Sequence, residues 1–136
     1  MVIHADGASR GNPGPAAIGA TIKDETGRLI SRISRRIGIT TNNQAEYQAV
    51  IAALEETTKL GARQASVYLD SELIVKQING KYRVKNRALK PLYQQVKQWQ
   101  SHFESFTIMH VPRQQNKEAD NLANAALKDY SATIHS

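Results

Sequence analysis

The stretch Thr41-Asn42-Asn43-Gln44-Ala45-Glu46-Tyr47-Gln48-Ala49-Val50-Ile51-Ala52-Ala53-Leu54 decides how the chain folds. Thr41 and Gln44 stand three apart, the form of a capping box, in which a hydroxyl and a side-chain amide each satisfy a free backbone donor at a helix start. Ala45, Ala49, Ala52 and Ala53 then run beside Val50, Ile51 and Leu54, a period that predicts a helix. Gly61 is placed to stop it. Ahead of Thr41 the period is two. Val2 to Ala8 predicts a short strand ending in the turn-rich Gly7-Ala8-Ser9-Arg10-Gly11-Asn12-Pro13-Gly14-Pro15. Ala16 to Lys23 predicts a second strand with Ile18, Ala20 and Ile22 on one face. Asp24-Glu25-Thr26-Gly27 reads as a hairpin turn. Arg28 to Ile37 predicts a third strand, with Leu29, Ile33 and Ile37 on one face and Arg28, Arg32 and Arg36 on the other. An antiparallel meander therefore feeds a crossover helix, which points to an α/β fold: a mixed sheet with helices on both faces.

Downstream, Ala65 to Asp70 predicts a fourth strand. Ser71 can cap a short helix through Ile74 and Ile78, closed by Asn79-Gly80. Leu89, Leu92, Val96, Trp99 and Phe103 step by three and four, an amphipathic helix that tolerates Pro91 in its first turn. Phe106 to Val111 predicts a fifth strand and Pro112 to Gln115 a loop. Asn116 is placed to cap a last helix whose stripe is Ala119, Leu122, Ala123, Ala126 and Leu127. The tail after Tyr130 is expected to fray.

With 136 residues the chain fits one domain with its own core. The absence of Cys excludes disulfide scaffolds, Cys-zinc sites and thiol catalysis. No run approaches the length of a membrane-spanning helix. Met1-Val2-Ile3-His4 lacks the basic start and apolar core of a signal peptide, so a cytoplasmic protein without membrane association is expected. The net charge of +6 makes nucleic acid or another polyanion a candidate partner. The distribution of charge sharpens this. From Leu73 to Phe103 there is no Asp or Glu, whereas Lys76, Lys81, Arg83, Lys85, Arg87, Lys90 and Lys97 alternate with Tyr82, Tyr93 and Trp99. Such a strip suits a phosphate backbone. A solvated helix face with Trp99 in the core is the plainer reading, and the two are compatible, with the aromatic in the core and the cations at a phosphate backbone.

Four acids sit where acids are not usually needed. Asp6 lies in or at the end of the first strand, Glu46 in the first turns of the first helix, Asp70 at the end of the fourth strand, and Asp120 in the first turn of the last helix. Each has an ordinary explanation. An acid near a helix N-terminus complements the macrodipole, and an Asp ending a strand often begins a turn. Taken together they suggest more, because strand ends and helix starts of one sheet can converge on one edge. Converging carboxylates repel unless cations lie between them, and hard oxygen ligands suit Mg²⁺ or Mn²⁺. A two-metal site beside a basic strip is an arrangement for phosphodiester cleavage.

Asp6-Gly7-Ala8-Ser9-Arg10-Gly11-Asn12-Pro13-Gly14, Thr41-Asn42-Asn43-Gln44-Ala45-Glu46, Leu69-Asp70-Ser71 and Asn116-Lys117-Glu118-Ala119-Asp120 occur in that order. Together they resemble the four signature segments of type 1 ribonuclease H. The resemblance covers residues 1–128, leaving 129–136 as a C-terminal tail. It implies a ribonuclease H-like five-stranded mixed sheet in the order 3-2-1-4-5. It also implies a divalent-metal endonuclease that cuts the RNA strand of an RNA–DNA hybrid to 5′-phosphate and 3′-hydroxyl products, acting as a monomer. Asp6, Glu46, Asp70 and Asp120 match the family's carboxylates, which hold two Mg²⁺ ions, with Mn²⁺ as an alternative. Asp6 and Asp70 match the ligands of the activating ion, and Asp6 and Glu46 those of the second. Asn12, Asn42 and Asn43 match positions near the RNA strand, where amides suit a 2′-hydroxyl that both donates and accepts. Thr41 and Asn86 match a pocket for a DNA phosphate.

The sequence departs from the better-known bacterial pattern in two places. Gly80 to Ala88 is a short basic link where a long basic handle helix is usual, which resembles the compact subgroup of the family. Lys81, Arg83, Lys85 and Arg87 are its partial replacements. Where many relatives carry a loop His that assists product release, this chain has Pro112-Arg113-Gln114-Gln115. Arg113 or Gln114 is the expected substitute, since His110 should lie on the fifth strand. His4 shares a strand face with Asp6 and reads as a packed residue rather than a ligand. Ser9 and Ser71 have no partner at a triad motif, and Gly11-Asn12-Pro13-Gly14 lacks the Lys of a P-loop. A DNA nuclease of the same fold and a non-catalytic hybrid-binding module are the competing functions. The Asn segments argue against the first, and the full carboxylate set against the second.

Overall fold

The computed structural model describes the backbone of residues 1–135 and the side chains of residues 1–128. The expected fraying after Tyr130 concerns residues whose side chains lie outside that range. The elements are β1 (Val2–Ser9), β2 (Gly14–Lys23), β3 (Leu29–Thr40), α1 (Asn42–Lys59), β4 (Gln64–Leu69), α2 (Glu72–Ile78), α3 (Lys90–Gln100), β5 (Ser105–His110), a 3₁₀ turn (Arg113–Asn116) and α4 (Lys117–His135). The sheet order is β3-β2-β1-β4-β5. β1, β2 and β3 are antiparallel, while β4 runs parallel to β1 and β5 parallel to β4. The mixed sheet is as the residue pattern predicts, and its strand order is the one the resemblance implies.

The capping box forms in full. Thr41 Oγ1 accepts from Gln44 N at 3.2 Å, and Thr41 N donates to Gln44 Oε1 at 3.1 Å. Ser71 caps α2, and Pro91 sits in the first turn of α3. The last helical residue of α3 is Gln100, so Phe103 packs into the core from the turn that follows.

Two features differ from the sequence reading. β3 is longer than expected and carries irregularities that leave Ile30 and Ile37 without β2 partners. Each extra residue inverts the alternation of faces. Ile33 stays in the core, whereas Leu29 is turned onto the face of its partner Lys23 and stands 45% exposed. Leu29 therefore does not share a buried face with Ile33. The second correction concerns Asn116. It ends the 3₁₀ turn and its side chain does not cap α4. Its Nδ2 donates to the Ala5 carbonyl at 2.9 Å, and its Oδ1 is buried without a partner.

The main core lies between the sheet and α1–α3, with Ile3, Ile18, Ile22, Val67 and Leu69 facing Tyr47, Val50, Leu54, Ile74 and Val96. α4 covers β1, β2 and β3 on the opposite face through the small residues Ala119, Ala123 and Ala126. A Cβ on Gly19 would overlap the backbone of Ala119 and Ala123, so this helix seats against the sheet only because Gly19 has no side chain. Gly7 does the same on the other face, where a Cβ would overlap the Ala45–Glu46 backbone.

Candidate active site

The two close approaches bring the acids together. Asp6 lies on β1 between Ala5 and Gly7, and Gly19 is its partner on β2. α1 delivers Glu46 over Gly7, whose N–H donates to Glu46 Oε1 at 3.1 Å. The chain leaving β4 delivers Asp70, and the first turn of α4 delivers Asp120. Asp6, Glu46 and Asp70 each offer an oxygen within 4.8 Å of the others. Asp120 stands outside that trio and is hydrogen-bonded to Asp6.

Asp6 and Glu46 are buried, whereas Asp70 and Asp120 are half-buried. Burial pushes the Asp6 carboxyl well above the usual carboxylate range. A hydrogen bond to Glu46 and the charges of Glu46 and Asp70 add to the rise. Glu46 is raised too, again chiefly by burial, though the hydrogen bonds from Asp6 and Gly7 N oppose the shift. Like charges this close cannot all ionise unaided. The other Glu46 oxygen, Oε2, is buried with no partner.

These acids line an open cleft of about 430 Å³ with Gly7, Ala8, Ser9, Asn42, Arg113 and Asn124. The structure thus brings four predicted carboxylates, Asn42 and Arg113 to one place. His110 ends β5 and is not among the lining residues, whereas Arg113, one of the two residues expected in place of the loop His, is. His4 stacks on Tyr68 at 5.1 Å, and burial and Lys23 hold its pKa below the ordinary value. This agrees with a packed role.

The remaining predicted residues surround the cleft. Asn12 Oδ1 accepts from Asn42 N at 3.0 Å and pins the β1–β2 turn to the start of α1. Asn43 is exposed in that first turn. Thr41 is engaged in its cap. Asn86 Oδ1 accepts from Ala88 N at 2.8 Å within the link before α3, where Lys85 and Arg87 are exposed. Residues 79–89 form no helix, as the short basic link implied. Within the strip, Lys76 pairs with Glu72 at 2.7 Å and Lys97 donates to the Ile78 carbonyl at 2.6 Å, so these two are structural. Tyr93 and Trp99 pack against the core, which supports the plainer reading for them.

Asn124 was not legible beforehand. Its Nδ2 donates to Asp120 Oδ1 at 3.3 Å. The only signal was a polar residue one turn beyond Asp120, which any solvated helix flank supplies.

Residues 4–126 match the family model described as reverse transcriptase-like. The ribonuclease HI of Halobacterium salinarum is 42% identical over 129 residues, covering 93% of this chain and 65% of that protein. The crystal structure of an RNase H1 from the same archaeon superposes with a TM-score of 0.92 at 41% identity, covering 94% of this chain and 97% of that one. The chain belongs to the ribonuclease H family. A bifunctional protein of Mycobacterium tuberculosis is 44% identical over 128 residues, and the chain spans 35% of its length. A compost-derived RNase H1 solved in complex with RNA/DNA hybrid has a TM-score of 0.90 and 40% identity, covering 95% of this chain and 97% of that one. Among the described residues no helix is long and apolar enough to cross a membrane.

Proposed function

We propose that the chain is an endonuclease that hydrolyses the RNA strand of an RNA–DNA hybrid, leaving 5′-phosphate and 3′-hydroxyl ends. The carboxylate trio with an unpartnered, buried Glu46 oxygen carries this reading. A buried acceptor is rarely left unpaired, and an all-oxygen donor set of this charge fits a hard divalent cation. Asp6, Glu46, Asp70 and Asp120 would hold two such ions, Mg²⁺ or Mn²⁺. When bound, they supply Lewis-acid activation of water and neutralise charge on the leaving oxygen. The solved complex of the compost relative with RNA/DNA hybrid supports the choice of substrate.

The chain's own groups then bind and orient. The Gly7 N–H fixes one Glu46 oxygen and leaves the other for the cation. Arg113 places a positive charge at the cleft, where it meets a phosphate and assists release. Asn12 has spent its carbonyl on Asn42 N, so its Nδ2 is free to donate to a ribose hydroxyl. Asn42 and Asn43 present exposed amides beside it. Asn86 keeps its Nδ2 for a DNA phosphate, and Thr41 joins it by giving up its 3.0 Å bond to Gln44 Oε1. Lys85 and Arg87 contact the backbone beyond, and the protein acts as a monomer.

A nuclease for duplex DNA would have no use for three amides aimed at ribose hydroxyls, and a binding module would not need four acids. The test is incubation with labelled hybrid, duplex DNA and duplex RNA, with and without Mg²⁺. Cutting of the hybrid alone, and only with Mg²⁺, is expected. Cutting of duplex DNA, or binding without cutting, would select a competing function.

A further inference from the structure

We infer that Asn116 is a positioning residue of the carboxylate site, its buried amide tying the strand that carries Asp6 to the helix that carries Asp120. The inference rests on the proposed function, in which those acids hold the metal ions.

Asn116 is 1% exposed. Its Nδ2 donates to the carbonyl of Ala5, the residue before Asp6, at 2.9 Å. The β1–β4 ladder ends at the pair His4 and Tyr68, so Ala5 is the first β1 residue beyond it. Past that point the two strands lead to Asp6 and Asp70, and the Asn116 amide takes up the carbonyl that β4 no longer reaches. On its own segment Asn116 closes the 3₁₀ turn that begins at Arg113 and stands one helical turn before Asp120. A single side chain therefore joins the backbone beside Asp6 to the segment bearing both Arg113 and Asp120.

The amide does more at this position than fill space. Asn116 Oδ1 is buried without a partner, so the amide satisfies the Ala5 carbonyl only by stranding an acceptor of its own, whereas an apolar side chain of similar size would strand the Ala5 carbonyl instead. Fixing the distance between two ligand-bearing elements is what the amide contributes beyond filling space. Hydrogen-bonding groups behind metal ligands typically change metal affinity by about 10–100-fold when removed.

The experiment replaces Asn116 by Leu and by Ser in the full chain. It measures Mg²⁺ binding by calorimetry without nucleic acid, the melting temperature without metal, and kcat and KM on hybrid. The positioning role predicts Mg²⁺ binding weakened by at least about tenfold. It also predicts lowered kcat at subsaturating Mg²⁺ and KM for hybrid within about twofold of wild type, in variants that still melt cooperatively. Unchanged Mg²⁺ affinity in a folded variant would overturn it. So would failure of both variants to fold, which would assign Asn116 to stability alone. Absence of Mg²⁺ binding in the wild-type protein is a separate result, and it would strike the metal-site reading itself.

Discussion

Gly19 stands directly across the β1–β2 ladder from Asp6, and α4 packs so close above it that a Cβ there would overlap the helix backbone. The absence of a side chain at Gly19 lets the backbone around Ala119 sit on β2, and this seats Asp120 beside Asp6. The distance between two acids at the site is thus set by a missing methyl group on a neighbouring strand.

Gly19→Ala is expected to push α4 outward. Overpacking of this kind costs about 1–3 kcal/mol, which a melting curve would read. Displacement of Asp120 should lower turnover by on the order of 10²-fold, since an ångström of misplacement can cost that much. A variant with normal melting and normal turnover would show that α4 has slack at this contact.

Asp6→Asn and Asp70→Asn are each expected to remove cleavage while leaving the fold and hybrid binding nearly intact. Each keeps the side-chain shape and deletes a ligating charge, which should cost at least roughly 10²-fold in kcat. In metal-free buffer near neutral pH Asp6→Asn should melt higher than wild type, because the buried acid must either take up a proton on folding or face Glu46 and Asp70 as a charge, and an amide does neither. Near-wild-type turnover in either variant would take that residue out of the mechanism.

Much of this site could be read from the chain because its parts are local. Thr41 and Gln44 form their capping box within one turn, so the start of α1 and the place of Glu46 follow from spacing. Asp70 and Asp120 come with the turn and helix start that follow or contain them. What escaped reading depends on contacts distant in sequence. Asn116 looks the same as a helix cap and as a tie to Ala5, and only the fold decides which backbone group it meets. The β3 irregularities at Ile30 and Ile37 leave no trace in an alternating pattern, so Leu29 was assigned to the wrong face. Gly19 matters only once Ala119 and Ala123 are seen above it.

Affinity for hybrid should fall steeply with salt. If about four phosphates are neutralised, the slope of log affinity against log salt is near −3 to −4. Lys85 and Arg87 are exposed on the link before α3, and neutralising both should flatten the slope by roughly one to two. An unchanged slope would place the nucleic acid on another face.

Asn12, Asn42 and Asn43 are linked by the Asn12 Oδ1 bond to Asn42 N and gather at the start of α1. With these amides meeting ribose hydroxyls as proposed, several consecutive ones would be read together. A run of about four ribonucleotides in duplex DNA should be cut well and a single one poorly, because each lost hydrogen bond costs on the order of 1 kcal/mol. A series with one to six embedded ribonucleotides checks this, and efficient cutting at one would point to a different mode of recognition.

The most direct test labels each strand of an RNA–DNA hybrid in turn and follows both with Mg²⁺, using wild type and Asp6→Asn. The account predicts internal cuts in the RNA strand alone, with 5′-phosphate and 3′-hydroxyl ends, and none from Asp6→Asn. Cuts in the DNA strand, or equal cutting by Asp6→Asn, would contradict it.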